Sequence, residues 1–387
     1  MLKPSELEML NHFRQNLHRK PEISGQEIST AKSVSEFIEQ FKPDEIFPNL
    51  AGNSFAIVYN GQHEGPTLLI RCELDALPIQ ETGTVKYRSQ YAKVAHACGH
   101  DGHMAIVASM ALKLHQQRPH SGRVILVFQA AEETGKGAKP LVEALKFNKL
   151  APKYSFALHN MPKMKKHRIG VKNGYFNCAS KGMKIELIGK TSHASHPENG
   201  INPSDALCDI LREVAVINAD FSEYEEFTLT SISHAALGEE SFGITAGYAK
   251  IMLTLRSESD GLLTKLTHRL DVFTQKISQK YNLGYDVSYD EIFEASINDE
   301  IATDLIRTAC LDENADMIEL SQSWRASEDF GQFASVSHSA MFLLGSGEDQ
   351  PQLHNSDFNF PDEIIATGHN IFSRLIKNIL GYSSNSG

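Results

Sequence analysis

Two periodicities alternate along the chain. Apolar residues spaced three and four apart predict helices over residues 4–19 and 26–40. Ser5 reads as the N-cap of the first, with Glu8 three positions on. Short apolar runs at 55–59, 67–71, 124–129 and 155–158 read as strands, with a strong helical pattern at 104–117 between the second and third. This alternation predicts an α/β fold class, a mixed sheet flanked by helices. From residue 177 the texture changes. Alternating strands at 181–188, 226–233, 248–256 and 285–289 are interleaved with helices at 203–217 and 262–280, which predicts a smaller α+β unit. After 292 strands are expected at 317–320 and 340–344, and a final helix at 361–380. The expected organisation is one domain of residues 1–176 and 292–387, interrupted by a second of residues 177–291. The tail 383–387 is expected to be disordered.

Composition narrows the class of function. A chain of 387 residues suits two domains. A net charge of −11 argues against a partner bound through a nucleic-acid backbone. There is no apolar run of membrane-spanning length, and the N-terminus lacks a basic-then-apolar signal pattern, so a cytoplasmic protein without a membrane partner is expected. The five cysteines are odd in number, scattered and without CxxC spacing, which speaks against a disulfide framework. Cys72, Cys178, Cys208 and Cys310 read as small buried residues. Cys98 is set apart by its neighbours.

Functional groups in open α/β sheets gather beyond the carboxyl ends of strands. The run at 67–71 leads into Cys72-Glu73-Leu74-Asp75, that at 124–129 into Ala130-Ala131-Glu132-Glu133, and that at 155–158 into His159. His96-Ala97-Cys98-Gly99-His100-Asp101-Gly102-His103 adds a thiol, three imidazoles and a carboxylate just before a helix, and His354 follows later in a loop. Several imidazoles around one cysteine favour a metal site over a disulfide. Adjacent carboxylates can divide the labour: one of the Glu132-Glu133 pair binds metal while the other acts as general base on water that the ion has acidified towards a pKa of about 7.

These motifs, with His18-Arg19-Lys20-Pro21-Glu22, Asp75-Ala76-Leu77-Pro78, Gly189-Lys190-Thr191-Ser192-His193-Ala194 and Ser327-Glu328-Asp329-Phe330, run in order along the whole chain. Together they resemble the zinc-dependent aminoacylase and carboxypeptidase superfamily, in the branch of hippurate hydrolases, bacterial N-acyl-amino-acid amidohydrolases and plant auxin-conjugate hydrolases. The resemblance implies amide hydrolysis of small N-acyl amino acids at a site of two divalent ions, zinc first, with manganese, cobalt or nickel as alternatives. It implies Cys98, His100, Glu133, His159 and His354 as ligands, Glu132 as general base, and Asp75 as the residue orienting a ligand imidazole. His193 would stabilise the oxyanion from the inserted lid domain, through which relatives form homodimers. Arg256 would hold the substrate carboxylate, the alternative being a strand-edge charge. A dipeptidase or carboxypeptidase with the same site is the rival enzyme, and a degenerate binding protein the rival outside enzymes.

The remaining candidates read as structural. His18 closes the first helix against the metal-site loops. His96 and His103 are expected as hydrogen-bond donors behind the ligands, and Ser327-Glu328-Asp329 as a helix N-cap. Three departures from the resembled pattern stand out, the first being Thr134 where a glycine is commoner after the glutamate pair. Glu73 replaces an aspartate, and Phe242-Gly243-Ile244-Thr245-Ala246 stands where the lid has Asn-Val-Ile-Pro, which leaves substrate choice open.

Overall fold

The computed structural model describes residues 1–383; the rest of the tail expected to be disordered lies outside them. The chain divides into two compact units. The larger comprises Met1–Phe176, Ile297–Gln322 and the chain from Asp329 onward; the smaller comprises Asn177–Ser296 and Ser323–Glu328. Residues 292–296 and 323–328, expected in the larger unit, therefore group with the smaller one.

In chain order the elements are α1 (Pro4–His18), α2 (Ile28–Glu39), β1 (Glu45–Ala51), β2 (Ser54–Asn60), β3 (His63–Glu73), α3 (His100–Gln116), β4 (Ser121–Gln129), α4 (Ala138–Phe147), β5 (Tyr154–Pro162) and β6 (Ile169–Val171). They continue with β7 (Gly174–Asn177), β8 (Ala179–Ile188), α5 (Ser204–Phe221), β9 (Thr228–Leu237), β10 (Tyr248–Ser257), α6 (Asp260–Lys280), β11 (Gly284–Phe293) and β12 (Ser296–Asn298). Last come α7 (Glu300–Asp312), β13 (Met317–Glu319), β14 (His338–Gly347) and α8 (Ile365–Leu380).

The larger unit is built on an eight-stranded mixed sheet of order β1-β2-β4-β3-β5-β14-β6-β13. Strands β4, β3, β5 and β14 are mutually parallel. Their consecutive residues are buried, as strands covered on both faces require. From β3 the chain crosses through α3 to β4 on one side, then through α4 to β5 on the other. The strand order thus reverses at β3, which opens a crevice at the carboxyl ends of these strands. Helix α3 is buried almost all round, as befits a central helix. The mixed sheet flanked by helices agrees with the expected fold class.

Some local expectations fail for physical reasons. Helix α1 starts at Pro4, with Lys3 N–H donating to the Glu6 carboxylate at 2.7 Å, so Ser5 lies within the first turn instead of capping it. Strand β1 escaped notice because Pro48 interrupts it, a residue tolerated there because β1 is an edge strand. Cys208 is exposed, not buried; it sits one position past Leu207 on α5, about 100° around the helix from the apolar stripe.

In the smaller unit a four-stranded antiparallel sheet of order β11-β8-β10-β9 carries α5 and α6. Ile251, Leu253 and Leu255 of β10 are buried, while Tyr248 and Met252 are exposed. Edge strand β9 leaves Leu229, Ile232 and Leu237 exposed. Among the described residues no helix is long and apolar enough to cross a membrane.

Candidate metal centre

At the crevice of the larger unit, the end of β3 supplies Asp75 and the end of β4 supplies Glu132-Glu133. The N-terminus of α3 brings Cys98 and His100, β5 brings His159, and the loop after β14 brings His354. Each is held by its own backbone setting. Gly99, at φ 94°, turns the chain into α3 in a conformation that a side chain disfavours. Ala131, at φ 56°, precedes the glutamate pair, and Gly135 N–H closes a tight turn on the Glu132 carbonyl at 2.7 Å. His354, at φ 66°, is joined to the Cys98 segment by its N–H to the Ala97 carbonyl at 2.8 Å.

The imidazoles are presented in one tautomer. His100 Nδ1 donates to the Asp75 backbone carbonyl at 2.8 Å, and His159 Nδ1 donates to the Asn160 carbonyl, also at 2.8 Å. A carbonyl only accepts, so Nδ1 carries a proton in each ring, and Nε2 is the nitrogen left to face a cation that displaces its proton. His159 Nε2 lies 3.4 Å from Cys98 Sγ. His100 Nε2 lies 3.9 Å from Glu132 and 3.8 Å from Glu133, and it is buried without a hydrogen-bond partner. His354 Nε2, on a half-exposed side chain, stands 3.6 Å from Glu133. The donor atoms of Cys98, His100 and His159 lie within 4.8 Å of one another, as do those of Cys98, Glu133 and His354, and those of His100, Glu132 and Glu133. Mixed N, O and S donors in overlapping triads fit divalent transition-metal ions.

The electrostatics point the same way. Burial opposes charge on His100, but the Asp75 side-chain carboxylate, 3.6 Å from its Nδ1, and the Glu73 and Glu133 carboxylates outweigh it and push the imidazole up to about 10. Burial, then Glu133 and Glu132, hold the Cys98 thiol well above its ordinary range. Burial and the neighbouring His103 hold His159 well below its own. Excess negative charge around one thiol and several imidazoles is the setting in which a cation displaces protons.

Asp75 acts on two segments. Beyond its backbone bond to His100, its carboxylate accepts Glu133 N–H at 3.0 Å and Ser24 Oγ at 2.6 Å, which ties the glutamate turn to β3. Ser24 was missed from sequence, since it carries no spacing signal and reaches Asp75 only through the fold.

The other candidates separate. His18 lies buried in a network with Asp101 at 2.8 Å and Glu81 at 3.3 Å, beside Arg14. His103 is hydrogen-bonded behind the ligands, but His96 is not the donor expected: both ring nitrogens are buried without a partner, and burial lowers its pKa to about 4. Asp329 does not merely cap a helix. Its carboxylate receives Arg71 at 2.9 Å, Gln129 at 2.8 Å and Ala138 N–H at 2.9 Å.

His193 and Arg256 belong to the smaller unit. His193 is exposed, and its Nδ1 accepts from Ser195 N–H at 3.1 Å, which leaves Nε2 as the outward N–H of the neutral ring. Its segment is clasped to the unusual 242–246 segment by Ala194 N–H to Gly243 O at 3.0 Å and Thr245 N–H to Ser192 O at 2.9 Å. The Arg256 guanidinium donates to Ser327 Oγ at 2.7 Å and the Arg325 carbonyl at 3.1 Å within its own unit.

Comparison with known proteins places this arrangement. The profile of Peptidase family M20/M25/M40 matches residues 69–378. A Campylobacter jejuni protein named hippurate hydrolase is 28% identical over 382 residues, covering 97% of this chain and 98% of its own. Bacillus subtilis N-acetyl-L-cysteine deacetylase is 26% identical over 378 residues, covering 97% of this chain and 89% of its own. A Bacillus subtilis crystal structure, described as a dinuclear metal binding peptidase from the M20 family, shares the fold with a TM-score of 0.81 at 24% identity, over 98% of this chain and 99% of that one. The motif resemblance is thereby borne out: the match spans most of the chain, from β3 to α8, and the protein belongs to Peptidase family M20/M25/M40.

Proposed function

We propose that the protein hydrolyses the amide bond of N-acyl amino acids at a centre of two divalent ions, zinc first among them, held by Cys98, His100, Glu133, His159 and His354. The observation that carries this reading is the convergence of Cys98 Sγ with the Nε2 atoms of His100 and His159, whose Nδ1 atoms are both engaged by backbone carbonyls. When bound, such ions polarise a scissile carbonyl and acidify water at neutral pH. Glu132, nearly buried beside the donors, takes the proton of the attacking water and passes it to the departing amine nitrogen. Asp75 keeps the His100 ring and the Glu133 backbone in place. His193 offers its Nε2–H to the developing oxyanion. Arg256, with part of its fork held by Ser327, receives the substrate carboxylate.

The larger unit is read as catalytic and the smaller as a lid through which two copies pair in the cytoplasm. The exposed apolar residues of edge strand β9 support that pairing, since an uncovered edge is a template for a second chain. The test is Glu132→Ala, read by amine release from N-acetyl and N-benzoyl amino acids and from dipeptides, together with metal content. Turnover should fall by about 10²–10⁴-fold with metal retained. Near-normal hydrolysis by that variant would remove Glu132 from the mechanism, and preference for free dipeptides would transfer the activity to a dipeptidase.

A further inference from the structure

Behind the metal-facing donors runs a set of buried polar contacts that the hydrolytic reading leaves unused. Glu73, the last residue of β3, is fully buried. Its carboxylate pairs with Arg71 through one oxygen, and the other meets His103 Nδ1 at 2.7 Å. Across the ring, His103 Nε2 lies 2.7 Å from Asn160 Oδ1 and 3.1 Å from Asn160 N. The Asn160 carbonyl receives His159 Nδ1, and its side chain fills the space that a Cβ on Gly99 would need. In the other direction Arg71 reaches Gln129 at 3.0 Å, at the end of the strand that leads to Glu132-Glu133. One network thus touches the segments that carry His100, His159 and the glutamate pair.

We propose that Glu73 is a positioning residue: through His103 and Asn160 it holds the Cys98–His100 segment and His159 where their donor atoms converge on a cation. The extra methylene relative to aspartate supplies its reach. Shortening the side chain by one carbon withdraws the carboxylate by about 1.5 Å, which carries the 2.7 Å contact to His103 out of hydrogen-bond range. A carboxylate or imidazole left unpaired at this depth is costly, so the segments must shift to repair the loss. Partners of ligand side chains set metal affinity by 10–100-fold without touching the ion. The inference rests on Cys98, His100 and His159 being ligands.

The experiment titrates chelator-stripped wild type, Glu73→Asp, Glu73→Gln and His103→Gln with cobalt(II), reading stoichiometry, affinity and the visible absorption bands, with far-ultraviolet circular dichroism as the control for folding. The expected result is an unchanged number of bound ions, affinity weaker by about 10–100-fold and displaced bands in each variant that folds. Wild-type affinity and spectrum in Glu73→Asp and His103→Gln would overturn the proposal; these two decide it even where Glu73→Gln does not fold. Loss of one bound ion in Glu73→Gln would overturn it differently. The donors of Glu73, His100 and His103 also lie within 4.8 Å of one another, and Glu73 would then be a ligand itself. Cys98→Ser separates the two levels: if it binds cobalt as wild type does, the metal-centre reading fails and takes this one with it.

Discussion

The candidate centre of the larger unit and the candidate residues of the smaller one are built on opposite principles. Around Cys98, His100 and His159 almost every polar atom is buried and its direction is set by a backbone carbonyl, a carboxylate or a left-handed turn. His193 is exposed, and its ring is set by Ser195 in its own loop. A buried polar group without a partner is costly, so most donors of the first region are held by fixed partners, and His100 Nε2, which has none, faces the other candidate donors. An exposed imidazole on a loop bears no such penalty, so it can change without disturbing a core. Chemistry built on this division tolerates variation in the loop and very little in the crevice.

Gly99→Ala attacks the contrast at its strongest point. The alanine methyl would meet the Asn160 side chain, and the residue would sit at φ 94°. The expected outcome is a loss of about 3 kcal/mol in stability and depleted metal content, checked by urea unfolding and elemental analysis. A stable, fully metallated Gly99→Ala protein would mean that the crevice is softer than its contacts imply. His193→Ala tests the other side. Stability and metal content should stay at wild-type values, while kcat falls by about 10²–10³-fold, the effect of removing an oxyanion donor. An equal loss of stability would place His193 among the structural residues.

The most gradual effect concerns the buried His18 network. Burial opposes charge there, but Asp101 outweighs it and raises His18 from the ordinary 6.5 to about 9. A folded-state pKa above the unfolded one gives stability that is complete below pH 6.5 and is lost as pH rises through about 9. Between those values the His18 contribution should fall by about 1.4 kcal/mol per pH unit. Denaturant unfolding at several pH values checks this, and His18→Gln should reduce the slope by that amount, leaving the share of His100. A slope as steep in His18→Gln as in the wild type would remove His18 from it.

Legibility followed how local each signal was. The thiol and imidazoles of residues 96–103 lie within eight positions and the two glutamates are adjacent, so their chemistry could be read from neighbours alone. The strands β3, β4 and β5 announced themselves as continuous apolar runs. The roles of Ser24, Asn160 and Glu73 could not be read, because each acts on a residue that only the folded sheet brings near. His96 shows the reverse: its place in the motif suggested a donor, yet the packing leaves both nitrogens without a partner.

By itself, the sequence determined the fold class, the family motifs and which side chains carry donor atoms, since these depend on periodicity and residue type within short windows. Tertiary structure decided how those donors are aimed: which nitrogen of each ring faces inward, that Asp75 ties the glutamate turn to β3, and that residues 323–328 join the smaller unit. The reason is distance along the chain. Aim is set by contacts between segments tens to hundreds of residues apart, and no local pattern encodes which of them will meet.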